Sequence, residues 1–241
     1  MTDQDFLRAL DRCADKGKPA RLWLRDDDAV EPGPALDRLL QMTNAAQVPL
    51  TLAAIPAFSG KALADRLLTE PHVTVAVHGW AHSNHAAQHE KKQELGGHRP
   101  TPVVLAELAR GFAKLAELHG ARFSPVLVPP WNRISPDVVV GLPGLGFQGL
   151  SVFGPETPAS LSMINTHVDL IDWRGTRGGR SEAILLDELA TGLDSGAPVG
   201  LLTHHLVHDV AAWDFLARLF DMTVKHPGCL WTGLPDLLHL P

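Results

Sequence analysis

The chain alternates between short apolar runs and longer stretches with helical periodicity. Apolar runs fall at 21–26, 48–55, 72–78, 125–129, 147–153, 166–172 and 198–204. Helical patterns lie between most of them, at 34–46, 60–69, 101–120, 135–141, 182–194 and 209–225, and the first residues, MTDQDFLRALDRCADKGKP, form a further short amphipathic pattern. Many runs are apolar at consecutive positions, which suits strands buried on both faces. Strand–helix alternation predicts parallel strands joined by right-handed crossovers. The expected fold is therefore α/β, a distorted (β/α) barrel of about seven parallel strands. No repeat or low-complexity linker divides it, so residues 1–241 are expected to form one domain.

In such a barrel, chemistry sits at the C-terminal ends of the strands, and here those ends are polar. The first run closes on Asp26, Asp27 and Asp28. Adjacent strand side chains point opposite ways, so all three serve one site only if the strand has ended. The third run closes on His78, with His82 four residues on. Two imidazoles with a carboxylate from another strand make a three-ligand set with open positions, the pattern of a catalytic zinc rather than a structural one. Pro129, Pro130, Trp131 and Asn132 end the fourth run, where the prolines stop the ladder. Asp169, Asp172 and Trp173 end another, and His204 and His205 end the last. The longest irregular stretch, 82–100, exceeds a plain βα connection and is expected to act as an active-site lid, with His85, His89 and His98 as lid residues rather than ligands. A second loop, 174–180, is rich in glycine and arginine.

Composition narrows the classes. With 45% hydrophobic and 20% charged residues, the chain has the makings of one sizeable core. A net charge of −6 and the lack of any Lys/Arg run leave no footprint for nucleic acid. No apolar stretch is long enough to span a bilayer, and the first residues lack a secretory pattern, so the cytoplasm is the expected location. Cys13 and Cys229 have neither disulfide-framework nor zinc-thiolate spacing. Of the thirteen histidines, many cluster, at 78, 82, 85, 89 and 98 and at 204, 205 and 208, in a chain without tyrosine.

Taken in order, these strand ends resemble the five motifs of the polysaccharide deacetylases of carbohydrate esterase family 4, the NodB-type domain. Arg25 to Ala29 resembles the Asp-Asp motif, with Asp27 matching the base and Asp28 the metal ligand; a shift to Asp26 and Asp27 is the alternative register. His78 and His82 match His-(Ser/Thr)-x-x-His, with Gly79 in place of the hydroxyl residue. Val128 to Trp131 partly matches Arg-x-Pro-Tyr, Asp169 to Trp173 matches Asp-x-x-Asp-Trp, and Leu202 to His204 matches Leu-x-His. The resemblance spans about residues 20–210. The chain departs from it at Val128, where the family has an arginine paired with the catalytic aspartate; Arg25, Arg99 and Arg133 are candidates to replace it.

The resemblance implies a metal-dependent hydrolase that removes an acetyl group from an N-acetylated sugar or related amide. Asp28, His78 and His82 would hold one divalent ion, Zn²⁺ first, though mixed His/carboxylate ligation admits cobalt, nickel or manganese. Asp27 would act as base and His204 as acid, oriented by Asp172, with His205 the alternative acid. Pro130 and Trp131 would flank the oxyanion site and Trp173 the acetyl pocket. The substrate would be a small or oligomeric acetylated carbohydrate. A hydrolase of a small non-sugar amide, similar to an allantoinase or imidase, and a non-catalytic carbohydrate-binding module of the same fold are the competing readings.

Overall fold

A computed structural model of the chain describes residues 1–157, 159–193 and 195–240. The strands are β1 (Ala20–Ala29), β2 (Leu50–Ala54), β3 (Val73–His78), β4 (Phe123–Val128), β5 (Gly149–Leu150), β6 (Ser162–Met163), β7 (Val168–Asp169), β8 (Val199–Thr203) and β9 (Cys229–Trp231). The helices are α1 (Asp3–Asp15), α2 (Pro34–Ala46), α3 (Lys61–Arg66), α4 (Thr101–His119), α5 (Pro136–Gly141), α6 (Glu182–Leu193), α7 (Val210–Thr223) and α8 (Leu234–Leu238). The strand order is β6-β5-β4-β3-β2-β1-β8-β7, with β9 beside β1. The ladders β1–β8, β1–β9, β3–β4, β4–β5, β5–β6 and β7–β8 are all parallel. This is the expected class, a distorted (β/α) barrel. Among the described residues, no helix is long and apolar enough to cross a membrane.

The chain divides into two compact units. The first comprises Met1–Asp27, Gly33–Thr51 and Thr166–Leu237. Its core is Leu22, Trp23 and Leu24 of β1 with the apolar stripes of α1, α2, α6 and α7. α1 begins where Thr2 and Asp5 form a reciprocal capping box, and α7 where the Asp209 carboxylate accepts from Ala212 N at 2.9 Å, so both helices start with amide donors satisfied. The second unit comprises Asp28–Pro32, Leu52–Asn165 and Leu238–Pro241. Here α4 buries Val104, Leu108, Gly111 and Leu115 at helical spacing, and Phe112 meets Phe123 and Phe147 edge-on at 4.8 and 5.0 Å.

Three departures from the sequence pattern have local causes. β1 does not end at the aspartates; it runs through them to Ala29. The runs at 147–153 and 166–172 yield strands of only two residues each. After β5, Ser151 Oγ donates to Ile164 O, and the Asn165 side chain accepts from Val152 N at 3.0 Å while donating to Gly154 O at 2.9 Å, so side chains take over from the ladder. β6 and β9 are too short and irregular to leave a periodic signal.

Candidate active site

Strand geometry assigns the three consecutive aspartates three different partners. Arg25 and Asp27 are two apart on β1 and so share a face. Their side chains form a forked pair, Nε to Oδ1 at 2.9 Å and Nη2 to Oδ2 at 3.1 Å, with the guanidinium wholly buried. Asp26 points the other way, where its carboxylate accepts from His205 N at 2.8 Å and from His205 Nδ1. Asp28 has a φ of 71°, which interrupts the strand alternation. Its Oδ1 lies 3.2 Å from His78 Nε2 and 3.3 Å from His82 Nε2.

Asp28, His78 and His82 lie together in the second unit, each offering a ligand atom within 4.8 Å of the other two. His78 is the last residue of β3, in register with Val128 of β4, and its Nδ1–H donates to the Val128 carbonyl at 2.9 Å. That bond fixes the tautomer and leaves the Nε2 lone pair facing Asp28, as a ligating histidine requires. Burial, and then the neighbouring His78, lowers the pKa of His82, favouring the neutral imidazole that can ligate. Mixed imidazole and carboxylate donors fit a divalent transition-metal ion.

Backbone strain gathers at the same place. Among the described residues, six non-glycines have positive φ, and four of them are Asp28 (71°), His82 (53°), Trp131 (55°) and Asn132 (56°). The Trp131 ring packs on His82 with centroids 4.2 Å apart. Such conformations cost on the order of 1–3 kcal/mol each and persist where the surroundings enforce them. Pro130, the buried residue before Trp131, packs against Gly79 in the turn between the two histidines.

Of the three arginines considered as replacements, Arg25 contacts Asp27. The other two are committed to the 82–100 loop: Arg99 donates to Glu107 at 2.7 Å and to Glu94 O at 3.2 Å, and Arg133 donates to Lys92 O at 2.8 Å. The distal part of that loop is fastened, which departs from a free lid. Glu94 and Leu95 are buried, and Ser135 N donates to Leu95 O at 2.8 Å. Among the described residues, Asp28, His78 and His82 are the one group with metal-binding geometry, so His85, His89 and His98 are not drawn into it.

In the first unit, His204 faces Asp169 and Trp173. The Trp173 ring meets His204 edge-on at 4.8 Å, and Trp173 Nε1 donates to Asp169 Oδ2 at 2.9 Å. Burial raises the Asp169 pKa, opposed chiefly by the charge of His204. Asp172, expected to orient the acid, is engaged elsewhere. Its carboxylate accepts from Gly175 N at 3.0 Å and Thr176 N at 3.3 Å, closing the turn after β7. A Cβ on Gly175 would stand 2.2 Å from Asp172 Oδ2, so the turn and the carboxylate are fitted to one another. Asp169, inside the same motif, is the carboxylate beside the histidine. His205 is buried with its Nδ1 held by Asp26, whereas His204 is half-buried. Glu94, the Asp26–His205 pair and the Asp169 contact were not drawn from the sequence; only Asp169 carried a signal there, as the first residue of its motif.

No protein-family model matches the sequence, and no curated protein matches it significantly. Solved structures share the fold. A candidate polysaccharide deacetylase from Mycobacterium smegmatis superposes with a TM-score of 0.70 at 16% identity, covering 92% of this chain and 90% of that one. A pseudoenzyme of carbohydrate esterase family 4 from Bacillus anthracis gives 0.63 at 16% identity, over 91% of this chain and 66% of that one. A family 4 acetyl xylan esterase from Clostridium thermocellum, in complex with a cobalt ion, gives 0.57 at 16% identity, over 90% and 89%. The expected resemblance therefore holds at the level of the fold.

Proposed function

We propose that this protein is a metal-dependent hydrolase that removes an acetyl group from an N-acetylated sugar or a related amide. The observation that carries the proposal is the Asp28, His78 and His82 ligand set, one peptide bond from an Asp27 gripped by a buried arginine. Consecutive Cα atoms are about 3.8 Å apart, so the chain itself keeps base and ligand close. Asp28, His78 and His82 would hold a divalent ion, zinc first, which would supply Lewis acidity toward the amide oxygen and lower the pKa of bound water to about 7.

The residues divide the remaining work. Arg25 holds the Asp27 carboxylate in place through its forked pair, where it can accept the proton of the attacking water. His204 delivers a proton to the departing amine, with the Asp169 carboxylate beside it. The backbone around Trp131 contributes to the oxyanion site, and Trp173 walls the acetyl group. Val128 in place of the family arginine favoured a non-catalytic module; the Arg25–Asp27 pair weighs against that reading, because the aspartate has its guanidinium partner from two residues upstream.

The test is acetate release by the zinc- or cobalt-loaded protein from N-acetylated hexosamines, their oligomers and simple N-acetyl amines. Turnover is expected on at least one, and Asp27→Asn is expected to lower it by about 10²–10⁴-fold with metal content unchanged. Bound metal with no acetate from any member would overturn the proposal.

A further inference from the structure

Glu94 lies within the long segment that follows His82, and its side chain turns back beneath the turn that carries both histidine ligands. It is 1% exposed, and its carboxylate accepts from Trp80 N at 3.1 Å, Ala81 N at 2.8 Å and Ser83 N at 3.5 Å. The Trp80 and Ala81 amides belong to the three-residue link between His78 and His82, and the Ser83 amide to its exit. A carboxylate is an acceptor with about four lone-pair sites, so one side chain can serve several converging donors. Gly79 completes the fit. Its φ is +61°, and a Cβ there would stand 2.0 Å from Glu94 Oε2 and 2.6 Å from Pro130 Cγ. A hydroxyl side chain at 79 and the Glu94 carboxylate are thus mutually exclusive in this backbone, and this chain has the carboxylate. Glu94 is itself fixed by Arg99, which donates to its carbonyl, and by the Leu95 bridge to Ile134.

We propose that Glu94 is the positioning residue of the metal centre. It clasps the backbone between the two histidine ligands from the 82–100 segment and holds His82 in its left-handed conformation, aimed at Asp28. The segment then works as a strut for the ligand turn, and loosening it loosens the metal. The proposal rests on the reading of Asp28, His78 and His82 as a metal site, but the clasp has its own readout. Glu94→Gln nearly preserves shape, yet it replaces an acceptor oxygen with an NH₂ that opposes an amide donor.

Two measurements test it. Amide hydrogen exchange of the metal-free protein reports the clasp directly: Trp80 and Ala81 are expected to be protected in the wild type and to exchange at least about 10-fold faster in Glu94→Gln, after correction for global stability. Cobalt titration, followed by its visible spectrum, reports the ligand set. Outer-sphere changes typically cost 10–100-fold in metal affinity, so Glu94→Gln is expected to weaken cobalt by about that factor and alter the spectrum, with Glu94→Asp in between. A merely structural role would lower thermal stability and leave the cobalt Kd within twofold, which would overturn the proposal. Unprotected Trp80 and Ala81 amides in the wild type would overturn it as well. A wild type that shows protected amides but binds no cobalt would refute the metal reading and, with it, the role of Glu94 in that site, while leaving the clasp itself in place. Should Glu94→Gln fail to fold, wild type and Glu94→Asp carry the comparison, and equal cobalt affinities would refute the proposal.

Discussion

The ligand set at the end of β3 and the histidine–aspartate set at the ends of β7 and β8 differ in what holds them. His78 is fixed through the Val128 carbonyl, and the turn to His82 is held by Glu94 and Pro130. Most of these partners are backbone groups or buried side chains that a single rotamer change cannot displace. His204 is bordered by the edge of a Trp173 ring that is itself 44% exposed, and by a carboxylate shared with that ring. A metal ligand must be aimed before the ion arrives, because misplacement costs affinity directly. As the proposed proton donor, His204 must instead reach a leaving group whose position varies with substrate, and an aromatic edge constrains it less. The pKa directions follow the same division. His82 is pushed toward its neutral form, as a ligand needs, and Asp169 sits in a buried setting relieved by His204.

The comparison breaks most sharply at the ligands. His78→Ala is expected to reduce zinc affinity by more than ~10²-fold, beyond the effect of outer-sphere changes, while His204→Ala leaves it unchanged; equilibrium dialysis with metal analysis separates the two. Next in size is Asp27→Ala, which strips a wholly buried Arg25 of its carboxylate. Breaking such a pair from one side costs about 3–5 kcal/mol. Urea unfolding should show that loss, and Arg25→Met added to Asp27→Ala should recover much of it.

A smaller effect comes from buried histidines outside the ligand set. Burial pushes His119 and His208 down from 6.5 to about 4. Between about pH 6.5 and 4 the unfolded chain binds protons that the folded chain refuses. Stability is therefore full above pH 6.5 and falls as the pH drops toward 4, by an amount on the order of 1–3 kcal/mol for each group. Unfolding midpoints at pH 7 and pH 5 should diverge less in His119→Leu than in the wild type. The smallest expected change in stability is Trp173→Phe, which loses one half-exposed hydrogen bond worth about 1 kcal/mol or less; turnover should fall with metal content intact.

Much of the fold was legible because buried parallel strands leave dense apolar runs, as in 21–26 and 72–78. β5 fell short of its run because Ser151 and Asn165 satisfy backbone groups that a ladder would have paired, and after β7 the Asp169 carboxylate takes the Ile171 amide in the same way. The aspartate triplet showed its importance in the sequence but not its sorting. Alternation along β1 separates Asp26 from Asp27, yet the positive φ of Asp28 has no local signal. Arg25 was one of three candidates in the sequence, and strand alternation singles it out, since a position two residues from Asp27 on a strand shares its face. Glu94 was not: its partners are main-chain amides 11–14 residues away, and amides look alike in every sequence.

The central claim is that Asp28, His78 and His82 hold one divalent ion. The most direct test is X-ray absorption on the zinc-loaded protein, compared with Asp28→Ala. Two imidazole nitrogens and a carboxylate oxygen at about 2.0–2.2 Å, with one ion per chain and the oxygen contribution lost in the variant, are the predicted result. A wild type that takes up no zinc, or an identical spectrum in Asp28→Ala, would contradict it.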